Sequence, residues 1–225
     1  MSSSGFTFDS AHRDLIRDDL EWRVAFGRDF IGFTEEDGQT LNSVAKVVTP
    51  LVNPIVDAVY IHLFNFPYTK AFFLKRNVGF EGSHASTVDS LGLNDDMINF
   101  RKTFLRTYVA KIFTSDYEKP QTWEYFDKVS KMHTGLAGFK HRANKDPLVV
   151  DLQPMALLLG WVEDVVIQAV MELPDETADA AAKTAVLRAF NKFMWLQNDS
   201  FNRYYAKTDE ELAAATAKAK EEGDI

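Results

Sequence analysis

The chain has 225 residues, of which 46% are hydrophobic and 26% are charged, and it contains no cysteine. This composition is typical of a globular domain with a substantial core. The absence of cysteine excludes disulfide scaffolds, thiolate nucleophiles, zinc ribbons and iron–sulfur clusters. Any metal chemistry must therefore use histidine or carboxylate ligands.

The net charge of −8 lies at the two ends of the chain. Residues 1–37 contain nine acidic and four basic side chains, and residues 208–225 contain six and two. Nucleic acid or an anionic membrane requires a basic surface, so neither is expected as a partner. The longest apolar stretch, residues 155–162, is too short to span a membrane, and the N-terminus lacks the features of a signal peptide. We therefore expect a cytoplasmic protein.

Helix signals dominate the first part of the chain. Thr34 can cap a helix that runs to about residue 49, because three acidic residues follow it in the first turn. Pro50 and Pro54 then interrupt the pattern. A second helix is predicted over residues 54–66, and Pro67 ends it.

A long loop and a third helix follow. Residues 77–92 are rich in glycine, serine and threonine, which is typical of a loop. Asn94 can cap the next helix. Its apolar positions recur at spacings of three to four residues, which is the period of an amphipathic helix: Met97, Phe100, Phe104, Leu105, Tyr108, Val109 and Ile112.

The second half of the chain also has a helical pattern. A helix is predicted over residues 122–138, followed by a basic loop at 140–151. Pro154 suits the first turn of a helix through residue 171, and a long helix opens at 174–176 and runs to about 207. No alternation of period two, no repeat and no linker interrupts this pattern. The sequence therefore predicts one all-α domain.

The chain lacks the motifs of nucleotide-binding, zinc-protease and serine-hydrolase sites. Among its five histidines, His133 stands out because it lies on the apolar stripe of a predicted helix, together with Val129 and Leu136. An imidazole in such a place must satisfy both of its nitrogens. The pattern alone favours a hydrogen-bonded core histidine over a metal ligand, and it leaves both interpretations open.

Residues 123–133 resemble the proximal helix of the protoglobins and of the globin-coupled sensors. In that helix an aliphatic residue, a small residue and two variable positions precede the haem-ligating histidine. Here Val129, Ser130 and His133 have the same spacing. The resemblance covers about residues 13–207, and it implies that His133 is the proximal ligand of a haem iron.

Further segments resemble the same family in the correct order. Its second globin helix has a tyrosine that faces bound gas, and Tyr60 stands in that place. Its distal helix has a phenylalanine that roofs the haem, which corresponds to Phe104. In the following helix an aromatic residue seven positions after a proline enters the distal pocket, and here these are Pro154 and Trp161. Residues 189–197 resemble the last globin helix.

Three positions depart from the family pattern. Members often have a second histidine directly after the ligand, but this chain has Thr134, so His133 is the one candidate in this motif. Val59 stands where tryptophan is frequent, and we expect this change to open space beside Tyr60. Ser130 stands where glycine is common.

The resemblance implies a globin fold, a 3-over-3 helical sandwich, that binds haem b. On this interpretation residues 1–33 form a partly helical N-terminal extension, residues 34–207 the globin domain and residues 208–225 an acidic C-terminal tail. A basic cluster of Lys140, His141, Arg142 and Lys145 is either a propionate site or a solvated loop. The predicted haem-contacting side chains are Tyr60, Val59, Phe100, Phe104, Val129, Met132, Leu136, Trp161 and Arg142.

The leading functional prediction is reversible binding of a diatomic gas, O2, CO or NO, with Tyr60 donating a hydrogen bond on the distal side. The resemblance further implies a homodimer through the last two long helices, and any signal would pass to a separate partner. Two alternatives stay open. One is a haem enzyme, either a peroxidase or a protein that oxidises NO, and the other is a globin-fold interaction protein that binds no haem.

Overall fold

The computed structural model describes residues 5–75, 80–136 and 148–206. Helices make up most of the described chain, and the described residues include no strand beyond a single β-bridge between Thr134 and Val149. The all-α prediction is confirmed. The helices are α1 (Arg13–Asp18), α2 (Leu20–Ile31), α3 (Glu35–Ser43), α4 (Ala45–Val48), α5 (Val52–Phe64), α6 (Pro67–Ala71), α7 (Asp96–Ile112), α8 (Pro120–Met132), α9 (Leu152–Met171) and α10 (Ala180–Tyr205).

Capping residues explain where the early helices begin and end. Gly32 ends α2 with a φ of 71°, a conformation that glycine adopts without a steric penalty. Thr34 and Asp37 then form the capping box that starts α3, in agreement with the predicted cap. Helix α5 starts two residues before the predicted position, because Pro54 is tolerated in the first turn, where its missing N–H has no intrahelical acceptor.

Several predicted boundaries were wrong, among them the end of α3, which lies at Ser43 rather than at about residue 49, and the start of α8, which lies at Pro120 rather than at residue 122. The residue that caps α7 is Asp95 rather than Asn94. Helix α8 ends at Met132, six residues before the predicted end, because Gly135 has a φ of 86° and the amide of Val150 donates to the carbonyl of His133 at 2.8 Å. Helix α10 begins at Ala180, since residues 174–178 form a hydrogen-bonded turn instead of a first helical turn.

Helix α10 is the centre of the packing, since it contacts α9, α3, α8 and α2, while α5 packs on α7. Helix α2, in the predicted N-terminal extension, therefore lies against two of the helices that hold the core. Aromatic rings fill the space between α3, α8 and α10. The largest fully buried side chains include Phe33, Phe190, Phe193, Leu41, Met97 and Ile98.

Two helical stretches are long and apolar enough, by length and composition alone, to cross a membrane. They are Ala45–Phe64 and Leu152–Met171, with 17% and 11% of each stretch buried. The first contains a 3-10 turn, Thr49–Leu51, between its two α-helices, and the second contains Glu163 and Asp164. In α9 the uncovered apolar surface includes Leu157, which is 67% exposed, and Met171, which is 58% exposed.

Candidate functional site

His133 is the residue directly after α8, and one of its ring nitrogens is already engaged. Its Nδ1 lies 2.7 Å from the carbonyl oxygen of Val129. A carbonyl only accepts, so Nδ1 carries the proton of the neutral imidazole and Nε2 keeps the lone pair. This hydrogen bond is the arrangement that orients a metal-ligating histidine and fixes its tautomer.

The backbone around His133 is held from two directions. Its carbonyl accepts from the amide of Val150 at 2.8 Å, and the hydroxyl of Tyr205, which donates to the carbonyl of Val150, lies 3.4 Å from it. Its ring meets Phe201 edge to face, with 5.7 Å between the ring centroids. Residues from α10 and from the segment before α9 therefore fix where the imidazole sits.

A buried network of hydrogen-bonded polar side chains lies one turn before His133. The side chain of Gln197 on α10 donates to the hydroxyl oxygen of Ser130 at 2.6 Å and accepts from the hydroxyl of Tyr108 at 3.2 Å. Ser130 is fully buried and Gln197 is 2% exposed. These three side chains join α7, α10 and α8 through hydrogen bonds inside the core.

Tyr60 lies in α5 and is 5% exposed. Its ring packs against Phe73, with 5.4 Å between centroids. Burial raises the pKa of Tyr60 to about 12, although Arg101 and Arg106 act in the opposite direction. The hydroxyl makes no hydrogen bond to another described residue. Near neutral pH it is therefore a protonated donor.

An ion pair between a buried lysine and a half-exposed aspartate joins α5 to α7 beside Tyr60. The ammonium of Lys102, a residue 7% exposed, lies 2.9 Å from a carboxylate oxygen of Asp57. The same ammonium is 5.6 Å from the centre of the Tyr60 ring. Asp57 and Tyr60 are one helical turn apart, so the ion pair fixes the part of α5 that carries the tyrosine.

Two of the predicted haem-contacting aromatic residues meet on α7. Phe104 and Phe100 make an edge-to-face contact at 5.1 Å, and Phe104 is 51% exposed. Leu136, which follows His133, is 49% exposed. Phe104 and Leu136 therefore each leave apolar surface uncovered.

The remaining predicted residues have separate environments. Trp161 stacks on His62 of α5, with a centroid distance of 4.1 Å and an interplanar angle of 12°. It therefore contacts the helix that carries Tyr60 through a residue two positions further along. Val59 is buried, and Met132 is the last residue of α8. Arg142 and its basic neighbours Lys140, His141 and Lys145 lie outside the described residues.

The protoglobin family model matches residues 20–211. The chain belongs to the protoglobin family. No curated protein matches the chain, and no solved structure does. Family membership confirms the predicted globin fold, and it places the chain among haem-binding globins with gaseous ligands.

The residues present fit a haem better than a bare metal ion. The described residues contain no group of three or more histidine or carboxylate side chains that could hold a metal ion. They do offer one oriented imidazole and the apolar surfaces of Phe104 and Leu136. A haem needs one axial nitrogen, because the porphyrin supplies the other four, and it needs apolar walls.

Sequence reasoning missed the residues that support His133 and Tyr60. One available signal was Gln197, a polar residue spaced four positions from both Phe193 and Phe201 on an otherwise apolar stripe. The pairing of Asp57 with Lys102 joins residues 45 positions apart. No local pattern identifies such a pair.

Proposed function

We propose that this protoglobin binds haem b and reversibly binds O2, CO or NO, with His133 as the proximal ligand. The observation that carries the proposal is the hydrogen bond from His133 Nδ1 to the carbonyl of Val129, which orients the imidazole as the second partner of a metal-ligating histidine does. Haem iron, when bound, supplies an open axial position for a diatomic gas.

Tyr60 is the proposed hydrogen-bond donor on the distal side. Its hydroxyl is protonated near neutral pH, and no described residue accepts its hydrogen bond. A ligand that carries partial negative charge, as O2 does on iron, gains more from such a donor than CO does. Tyr60 therefore favours O2 over CO by about 1–2 kcal/mol.

Apolar side chains complete the proposed pocket. Val129, Met132 and Leu136 wall the proximal side, since they lie within four residues of His133 along the chain. Phe104 and Phe100 roof the distal side from α7. Val59 and Trp161 would contribute from α5 and α9, and Arg142, which lies outside the described residues, is the proposed partner of a propionate.

The proposal includes a cytoplasmic homodimer. The uncovered apolar surface of α9 and the Trp195 side chain of α10, which is 54% exposed, support an interface between the last two helices of two copies. Any signal from bound gas would then pass to a separate partner. Sedimentation of the purified protein at several concentrations tests the dimer.

The test of the function is a gas-exchange spectrum of the purified chain loaded with haem. The ferrous protein is expected to give distinct and reversible spectra under O2 and CO, with the deoxy spectrum restored under argon. A chain that takes up no haem would instead be a globin-fold interaction protein. Rapid turnover of peroxide or NO would favour the enzymatic alternatives.

A further inference from the structure

Gln197 is a polar side chain in the most apolar part of the molecule. It is 2% exposed, and the residues four positions before and after it, Phe193 and Phe201, are 1% and 3% exposed. An amide buried this deeply costs stability unless its polar atoms are hydrogen-bonded. Both of its polar atoms have partners.

The partners of Gln197 connect three helices. Its Nε2 donates to Ser130 Oγ at 2.6 Å and lies 3.4 Å from the carbonyl of Phe126, both on α8. Its Oε1 accepts from the hydroxyl of Tyr108 on α7 at 3.2 Å. Removal of the amide would leave the buried hydroxyls of Ser130 and Tyr108 without these partners.

Ser130, at one end of this series of hydrogen bonds, lies beside the backbone groups that hold His133. Ser130 is the neighbour of Val129, whose carbonyl holds His133 Nδ1, and the Ser130 carbonyl accepts from the His133 amide at 3.1 Å. One and two turns beyond Gln197 on the same face of α10, Phe201 contacts the His133 ring and Tyr205 contacts its carbonyl.

We propose that Gln197 is a positioning residue for His133. By holding Ser130, it fixes the last turn of α8, and so it fixes the direction in which His133 presents Nε2. This inference rests on the proposed function, because it concerns the proposed haem ligand. None of the hydrogen bonds of Gln197 goes to the imidazole of His133 or to a predicted pocket wall.

The first test compares Gln197→Met and Ser130→Ala with the wild-type chain, all loaded with haem. Met has about the size of Gln197 but makes none of its hydrogen bonds. Ser130→Ala removes a single hydroxyl, and it serves as the test variant if Gln197→Met folds poorly. Both variants are expected to shift the Fe–His stretching band in resonance Raman spectra of the ferrous, gas-free protein. Haem transfer to apomyoglobin is expected to be about tenfold faster, as for other residues that orient a metal ligand.

The matched control is Tyr117→Phe. Tyr117 is 3% exposed, and its hydroxyl donates to the carbonyl of Ile112 at 2.6 Å, away from the last turn of α8. Tyr117→Phe therefore removes a buried hydroxyl and its hydrogen bond, as Ser130→Ala removes a buried hydroxyl, but it leaves the hydrogen bonds around His133 unchanged. The Fe–His band of this control is expected to stay at the wild-type frequency.

A second readout uses the haem-free chain. Nitrogen NMR shifts of the His133 ring report which nitrogen carries the proton, and the wild-type chain is expected to show the Nδ1–H tautomer. Gln197→Met is expected to reduce this preference, because the carbonyl of Val129 is then held less firmly. Tyr117→Phe is expected to leave the shifts unchanged.

The outcomes separate this inference from the proposed function. A wild-type chain with no Soret band after haem loading would overturn both. A normal wild-type Soret band, with Fe–His bands and haem-loss rates in Gln197→Met and Ser130→Ala that match the wild type, would overturn this inference alone. Equal shifts in the Tyr117→Phe control would also overturn it, since they would reflect general destabilisation.

Discussion

The two sides of the proposed haem pocket are built by different forces. On the His133 side, hydrogen bonds determine the geometry, since the ring, amide and carbonyl of His133 all have identified partners. On the Tyr60 side, apolar burial and a neighbouring ion pair determine it, and the tyrosine hydroxyl makes no hydrogen bond to another described residue.

This difference matches the task of each side. A metal ligand must point one nitrogen in one direction, and directional hydrogen bonds achieve this. A gas-binding donor must keep its proton available, and the Tyr60 hydroxyl makes no hydrogen bond to another described residue that would engage that proton. Substitutions on the Tyr60 side should therefore change its charge balance and its ligand contacts while His133 keeps its orientation.

The largest expected effect is on the ion pair beside Tyr60. Asp57→Ala leaves the ammonium of Lys102, whose side chain is 9% exposed, without its counter-charge, and it should lower the free energy of unfolding by about 3 kcal/mol. Lys102→Met should cost only about 1 kcal/mol, because the Asp57 side chain is 49% exposed and stays hydrated. Urea titration of the haem-free chains measures both. Equal losses would contradict this unequal role of the two partners.

The second-largest effect is expected at alkaline pH, where ionisation of Tyr60 should lower the free energy of unfolding. Burial raises the folded pKa of Tyr60 to about 12 from the ordinary tyrosine value of 10.0, so the folded chain binds the proton more tightly than the unfolded chain. The contribution of Tyr60 to the free energy of unfolding is fully present below pH 10 and is lost as pH rises through 12, by roughly 3 kcal/mol.

Unfolding of the wild-type chain and of Tyr60→Phe, compared between pH 9 and pH 12 (about the folded pKa), measures this contribution. The other buried tyrosines are present in both chains, so their effects cancel in the difference. The wild type should lose more stability than the variant over this range. Parallel curves would show that the Tyr60 hydroxyl is not buried as described.

A smaller effect is expected on gas kinetics. Tyr60→Phe removes the proposed donor without changing His133, so O2 dissociation should accelerate by about tenfold, the equivalent of one hydrogen bond to a charged acceptor. CO dissociation should change little, because bound CO carries less charge. Flash photolysis and stopped-flow mixing measure both rates, and an unchanged O2 rate would remove Tyr60 from the distal role.

The smallest expected effect is the loss of stability in Phe104→Ala, at the position proposed to cover the distal side of the haem. Phe104 is 51% exposed, so Phe104→Ala should cost the haem-free chain less than about 1 kcal/mol of stability. Phe193→Ala is the matched comparison, since Phe193 is 1% exposed and its loss should cost about 3–5 kcal/mol. Thermal unfolding of both variants checks the pair. A large loss in Phe104→Ala would show that Phe104 belongs to the core.

Local sequence signals predicted where the helices form. The boundaries that they predicted wrongly depend on contacts between residues far apart in the sequence. The cap at Thr34 and the proline at the start of α9 are local, and both agree with the structure. The end of α8 depends on Val150, which lies 17 residues beyond His133 by their numbers, and no helical pattern encodes that contact.

The same reasoning applies to the site. The apolar stripe singled out His133, but whether it was a core residue or a ligand could not be decided from spacing. The partner of its Nδ1, the carbonyl of Val129, is a backbone atom that the side-chain pattern does not report. Gln197 and Ser130 are 67 residues apart, so their contact exists only in the folded chain.

The most direct test of the central claim is the absorption spectrum of the haem-loaded chain and of His133→Ala, with and without added imidazole. The account predicts a strong Soret band in the wild type, its loss or shift in His133→Ala, and its recovery when imidazole replaces the missing ring. An unchanged spectrum in His133→Ala would contradict ligation by His133.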